Sequence, residues 1–390
     1  MIMTSPIAHR LAASLPSATV RIADIASALR RNGVKILDFS AGRASEATPQ
    51  YICDAALDAM QRGDTHQTPA RGTPDYLAAC AQKLARENNL RVDPDTNIIA
   101  TMGVKQGLFL GLLAVINPGD EVIVEDPCFV SYQPLIQYVG GVPIAVPLRK
   151  EHGYRWRQED LERAITPKTR GILICNPHNP LGTVMTTHDL QCIANVAMKH
   201  HLTVFSDETY ERVTWGGRKH LSIAALHGMS ERTLTLMTFT KSYAMGGWRT
   251  GFARGSERLI NAMTIAQQHT LTCASSINQA AAARAITETR PEVRAMWKDW
   301  ERRCEYAVKE INAIPGLSCD MPEGGFYAWI DIRQREQSSE AFCERLLNDH
   351  HIALVPGAAF GPRGEGFVRM TCVKSWDELR AGIALLRAIL

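Results

Sequence analysis

Apolar residues recur along the middle of the chain in short runs, and the runs alternate with stretches patterned at helical period. NIIATMG, DEVIVEDP, VPIAVPL, GILICNP, LTVFSDE and TLTLMTF are rich in β-branched residues and bounded by Gly, Pro, Asn or Asp, which predicts strands. GLFLGLLAVI and DLQCIANVAMKHH predict helices between them. Such alternation predicts βαβ units and a mostly parallel sheet covered on both faces. From about residue 290 the pattern changes. VRAMWKDWERRCEYAVKEI predicts a long charged helix, followed by separated strands in GGFYAWIDI, IALVPG and GFVRMTCV, a helix at AFCERLLNDH and another at the end. The expectation is an α/β chain with a large domain over residues 46–290 and a smaller α+β domain over residues 291–390. Residues 1–45 form an N-terminal arm that joins the small domain through VKILDFSAG, a strand with no βα partner nearby.

Length agrees with two units, because 390 residues exceed what one core usually serves. The charge is balanced, 43 basic against 40 acidic residues, so a nucleic-acid surface is not expected. No apolar run is long enough to span a membrane, and the first residues lack the pattern of a signal peptide. Ten cysteines are scattered singly, without C-x-x-C pairs or clustered histidines. No metal site is expected, and free thiols in a reducing cytoplasm are the default.

In sheets of this kind function gathers at the carboxyl ends of the strands, and Asn176, Asp207 and Lys241 each follow an apolar run. Lysine is seldom buried unless paired or used chemically. Lys241 is therefore either a solvated strand-end charge or a Schiff-base lysine. NPHNPLG holds two Asn-Pro steps in four residues, a rigid turn that would aim the Asn179 amide at a fixed oxygen. In FSDETY a buried Asp207 needs a cationic partner or its pKa rises. A protonated ring nitrogen would serve, with Tyr210 close by; a helix N-cap is the plainer alternative. TMGVKQG is a strand, a glycine and a helix start, a geometry whose free N–H groups bind phosphate. No dinucleotide or P-loop fingerprint is present. Phe129 in EDPCFVSY either stacks on a flat ring or packs in the core. Arg369 in GFVRMTCV suits a carboxylate held bidentately, or a structural ion pair.

In this order and spacing, the motifs resemble the pyridoxal-phosphate-dependent aminotransferases of fold type I, class I/II, and within them the bacterial aspartate aminotransferase branch. The likeness runs from LPSATVRIADIASALRRNGVKILDFSAG to GFVRMTCVKSWDELRAGIALL. It implies the fold type I architecture, a seven-stranded-type, mostly parallel sheet in the large domain, and pyridoxal 5'-phosphate as cofactor. It makes Lys241 the Schiff-base lysine and proton shuttle, Asp207 the partner of the pyridine nitrogen, and Asn179 and Tyr210 the partners of the phenolic oxygen. Phe129 takes the ring-stacking position. Gly103, Val104 and Lys105 form the phosphate turn, with Thr238, Thr240 and Arg249 adding hydroxyls and charge. Arg369, Asn179 and the Gly42 backbone hold the substrate carboxylate. Lys105, with Ser17 and Thr19, meets an acidic side chain, which favours aspartate or glutamate as donor and a 2-oxo acid as acceptor. A homodimer with shared sites is implied too.

Three departures stand out. The family's GEPDFxTP is GRASEATP here (Gly42–Pro49), its YTPxxG is QTPARG, with Gln67 where a tyrosine reaches the partner's phosphate, and its NPTG is NPLG, with Leu181. Arg43 and Glu46 in the altered loop are candidates for selecting a polar substrate side chain. The same fold also hosts β-elimination and oxygen-dependent oxidation of amino acids, which remain alternatives to transamination. A non-enzymatic regulatory domain is a third, disfavoured by the lack of an extra N-terminal segment for a DNA-binding module.

Overall fold

In the computed structural model, residue 11 and residues 18–390 are described, apart from the side chains at 18, 19, 21 and 23. The chain enters through the helix Ala18–Arg31 and a two-residue strand, β1 (Leu37–Asp38). The six apolar runs then form β2 (Ile98–Thr101), β3 (Glu121–Asp126), β4 (Val142–Pro147), β5 (Thr169–Cys175), β6 (Thr203–Asp207) and β7 (Thr233–Thr238). A strand that the apolar pattern does not announce, β8 (Gly251–Arg254), completes a seven-stranded sheet in the order β2-β8-β7-β6-β5-β3-β4. β8 runs antiparallel to both neighbours, and the other pairings are parallel. The central strands are buried on both faces, so even Thr233 and Thr235 of β7 are fully enclosed. The apparent apolar–threonine alternation of TLTLMTF therefore marks no solvent face; helices cover both sides.

The predicted helices form at Val104–Val115, Thr187–Lys199, Pro291–Asn312, Ser339–His350 and Trp376–Ile389. Thr187–Lys199 opens with a capping box, in which Thr186 Oγ1 accepts from Asp189 N and the Asp189 carboxylate accepts from Thr186 N. Four further helices, Gln50–Gln61, Pro74–Glu87, Glu257–Thr270 and Ser276–Thr287, were not singled out by pattern. Three of them share a core of residues such as Tyr76, Leu84, Phe252 and Ala281 on the β2–β8 side, while Glu257–Thr270 puts Ile260 and Met263 into the core around Leu108 and Leu234.

β9 (Ser318–Cys319), β10 (Tyr327–Asp331), β12 (Val355–Pro356) and β13 (Phe367–Thr371) make a second, antiparallel sheet, while β11 (Ile352–Ala353) pairs with β1 in parallel. The IALVPG run is thus split between two sheets. Phe39, just after β1, is buried among Trp300, Phe326, Phe342 and Leu379, which ties the N-terminal segment to the C-terminal third of the chain.

The altered loop Gly42–Pro49 is clamped to the helix Pro291–Asn312. Trp300 Nε1 donates to Glu46 Oε2 (3.1 Å), and Arg303 Nη2 pairs with Glu46 Oε1 at 2.7 Å and with Asp299 at 2.6 Å. Arg303 Nη1 also donates to the Lys374 carbonyl at 2.7 Å. Glu46 is thereby spoken for, which removes the main support for its choosing a substrate side chain. Glu46→Gln is expected to cost about 1–3 kcal/mol in urea unfolding and to leave the ranking of amino-acid substrates unchanged. An altered ranking at equal stability would return the loop's acid to the substrate pocket.

Candidate active site

Because β5, β6 and β7 are consecutive in the sheet, with Cys175 opposite Asp207 and Asp207 opposite Leu236, their carboxyl ends converge. Asn179, Asp207 and Lys241 come from the segments leaving those ends and line one cavity of about 570 Å³. Gly42, Val104, Lys105, Phe129, Tyr210, Thr238, Thr240, Arg249 and Arg369 line it as well. The expected residues outside that set are Gly103, which lies at the turn beneath it; Gln67, which is exposed and off the lining; and Ser17 and Thr19, whose side chains fall outside the described residues. Asn176 is structural: its side chain accepts from Met185 N (2.9 Å) and donates to the Leu221 carbonyl (3.2 Å), fixing the turn that carries Asn179.

Asp207 is buried and accepts three hydrogen bonds, from Thr209 Oγ1 (2.6 Å), Thr209 N (3.0 Å) and Tyr132 Oη (2.7 Å). Burial nevertheless raises its pKa above the ordinary carboxylate value; the hydrogen bonds offset this only partly, and the nearby Glu125 adds to it. It caps no helix, so the N-cap alternative fails.

The turn after β2 gathers the cationic end. Gly103 has φ 78° and ψ 177°, a conformation suited to glycine, and the helix Val104–Val115 follows with no side-chain cap. The Val104 and Lys105 N–H groups therefore lack intrahelical acceptors, and both residues line the cavity. Because β8 is antiparallel, its first residue lies at the carboxyl edge, where Gly251 pairs with both Thr101 and Thr238. Arg249, two residues earlier, is thus delivered beside Thr240, with Nη1 3.5 Å from Thr240 Oγ1. Thr238 and Thr240 hydroxyls are 2.9 Å apart. A Cβ at Gly251 would stand 2.5 Å from the Met237 carbonyl and 3.1 Å from Gly103 Cα, so only glycine lets these backbones meet. Burial lowers the Lys105 pKa, and the charges of Arg249 and Lys241 lower it further. Lys105 Nζ lies 5.3 Å from the Phe129 ring centroid.

At the opposite end Arg369 is buried. It donates from Nη1 to Asn179 Oδ1 (3.0 Å) and from Nη2 to the Ser40 carbonyl (2.7 Å), and its Nε has no partner among the described residues. With Asn179 Oδ1 engaged, the Asn179 amide nitrogen is left to donate into the cavity. Lys241 Nζ donates to the Gly42 carbonyl at 2.6 Å. Two tyrosines in the lining escaped sequence reasoning. Tyr132 closes EDPCFVSY, where Phe129 drew the attention, and Tyr327 sits in an apolar strand that carries no chemical signal.

The lining carries four formal cations, Lys105, Lys241, Arg249 and Arg369, against one carboxylate, Asp207. An occupant with anionic groups at both ends and a basic nitrogen opposite Asp207 fits this distribution, which is the shape of pyridoxal phosphate together with an amino-acid carboxylate. In the cofactor-free protein the raised pKa of Asp207 means that folding takes up a proton. The stability cost is absent below the ordinary carboxylate pKa, grows as pH rises toward the shifted value and is constant above it. Asp207→Asn is therefore expected to raise the melting temperature of the cofactor-free protein, more at pH 8 than at pH 4, while weakening cofactor retention. Equal effects at both pH values would contradict this.

Residues 34–384 match the family model described as Aminotransferase class I and II. The aspartate aminotransferase of Musicola paradisiaca is 36% identical over 368 residues, 94% of this chain and 92% of that protein. The aromatic-amino-acid aminotransferase 2 of Thermococcus litoralis is 35% identical over 386 residues, 98% of either chain. Among solved structures, the aspartate aminotransferase of Thermus thermophilus with maleate aligns at a TM-score of 0.94 and 34% identity, covering 99% of this chain and 100% of the other. The chain belongs to the class I and II aminotransferases, pyridoxal-phosphate-dependent transaminases of fold type I.

Proposed function

We propose that this transaminase takes its amino group from aspartate or glutamate, passes it to a 2-oxo acid by a ping-pong cycle, and does so with the residues converging on the cavity. The single observation that carries the assignment of roles is the charge layout, four cations around one buried carboxylate. Bound pyridoxal phosphate supplies a carbonyl for an amine and a ring that takes up the electrons of the substrate Cα–H bond. Lys105 and Val104 N–H groups, Thr238, Thr240 and Arg249 hold its phosphate, and Phe129 covers one ring face. Asp207, whose ionised form is disfavoured when alone, keeps a proton on the pyridine nitrogen. Asn179 and Tyr210 donate to the phenolic oxygen. Arg369 grips the α-carboxylate, assisted by Asn179 and the Gly42 backbone, and Lys241 Nζ carries the proton between Cα and the cofactor carbon.

The acidic-substrate preference rests on Lys105, whose ammonium lines the cavity, and on the aspartate aminotransferase names of several relatives. A second preference, for aromatic side chains, has the Thermococcus litoralis relative in its favour. The relatives' names place transamination ahead of elimination or oxidation.

A homodimer belongs to the same proposal. Leu57, Met60, Met102 and Ile265 are exposed apolar side chains that an interface would cover, and Gln67 is free to reach a partner's phosphate. The division at residues 45 and 290 is supported by the pairing of β1 with β11 and by the shared core around Phe39 and Trp300. A cytoplasmic site of action is supported by ten unpaired cysteines.

The purified protein is expected to absorb as a bound pyridoxal chromophore, to lose that band with aspartate or glutamate and regain it with a 2-oxo acid. Lys241→Ala is expected to reduce turnover by about 10²- to 10⁴-fold or more. Lys105→Met is expected to raise KM for aspartate about tenfold relative to phenylalanine. Bleaching by phenylalanine but not aspartate would overturn the acidic preference, and an intact rate in Lys241→Ala would overturn the assignment of roles.

A further inference from the structure

Tyr327 lies where the cofactor side and the carboxylate side of the cavity meet. In the antiparallel pair of β10 and β13 it stands opposite Thr371, so Arg369, two residues along, is its diagonal neighbour on the same face. That register lays the Arg369 guanidinium over the Tyr327 ring, 4.2 Å from the centroid. The Phe360 ring, 5.0 Å away, is a second aromatic contact. Arg369 is thus held by two aromatic rings, the Ser40 carbonyl and Asn179, with no acidic partner among the described residues to compete for it.

The other end of Tyr327 touches the opposite half of the site. Its hydroxyl is 2.9 Å from that of Tyr210, and the two rings meet edge to face. The hydroxyl also lies against Gly42, where an added Cβ would collide with it, and Gly42 is the residue whose carbonyl receives Lys241 Nζ. The phenols differ in acidity. Burial pushes both up, but the charges of Lys241 and Arg369 and the bond to Tyr210 bring Tyr327 below its ordinary value, while Tyr210 stays well above. Either hydroxyl can donate at this distance; once Tyr210 gives its proton to an acceptor in the cavity, Tyr327 is the one left to donate to it.

We propose that Tyr327 is a positioning residue of amino transfer. Its hydroxyl orients and polarises the Tyr210 phenol, and its ring seats the Arg369 guanidinium, so one side chain from the smaller sheet aligns the donor to the cofactor with the anchor of the substrate carboxylate. This rests on the roles proposed above for Tyr210 and Arg369. A hydrogen bond received by Tyr210 strengthens the one it donates. Losing it leaves the cofactor's phenolic oxygen more basic, which moves the pH-dependent colour change of the bound chromophore upward.

Two substitutions separate the functions. Tyr327→Phe keeps the ring and removes the hydroxyl. The holoenzyme is expected to show the absorbance midpoint shifted to higher pH, kcat lowered about tenfold and KM for the amino acid within about twofold. Tyr327→Leu removes both, and KM is expected to rise a further 3- to 30-fold, about the range of a lost cation–π seat. If both variants merely melt at lower temperature, with the absorbance midpoint and KM those of the parent, Tyr327 only packs and the proposal is overturned. If the parent protein carries no chromophore, the cofactor roles fail first, a result distinct from either variant's behaviour.

Discussion

A buried carboxylate at the end of a central strand is the constraint around which the rest of the site is arranged. Asp207 has hydrogen bonds but no cation among the described residues, and burial holds it toward its neutral form. A basic ring nitrogen placed against it would relieve that cost by sharing a proton. The cations then fall on either side, Lys105 and Arg249 with the free N–H groups of a helix start at one end and Arg369 at the other. The protein tolerates such a layout because ligand charges supply what the side chains lack, at some loss of stability in the empty protein.

Bringing those groups together requires two sheets. β5, β6 and β7 present their carboxyl ends side by side, as parallel strands must, and this alone collects Asn179, Asp207 and Lys241. β8 contributes by breaking the rule: running antiparallel, it brings its amino end to the same edge and places Arg249 beside the threonines after β7. β10 and β13 close the far wall with Tyr327 and Arg369, and the clamp between Glu46 and Arg303 fixes the loop that offers the Gly42 carbonyl to Lys241.

Much of this was legible. Strands buried on both faces write themselves as continuous apolar runs, so six of the seven strands of the large sheet were visible, and each polar residue that interrupts the carboxyl end of a run had to be accounted for. β8 was not visible because GFAR is four residues, starts with glycine and ends with arginine. Tyr132 and Tyr327 were missed for a different reason. A tyrosine in an apolar strand, or at the helix start that follows one, is an ordinary core residue until its hydroxyl is given a partner, and the partners, Asp207 and Tyr210, lie 75 and 117 residues away along the chain. The engagement of Glu46 was hidden in the same way, since only the packed helix Pro291–Asn312 supplies Trp300 and Arg303 to hold it.

What the sequence determined by itself was the kind of chemistry. A lysine, an aspartate and an asparagine at the ends of neighbouring buried runs, with a glycine-initiated helix, are chosen locally, because strand ends and helix starts are local features with local signatures. What only the tertiary structure decided was how those groups are aimed and balanced: which carboxylates are paired and which stand alone, which tyrosine hydroxyls meet, and that the arginine of β13 rests on the ring of β10. Those outcomes depend on strand register and on contacts between distant segments, and neither is encoded in the periodicity of any single stretch.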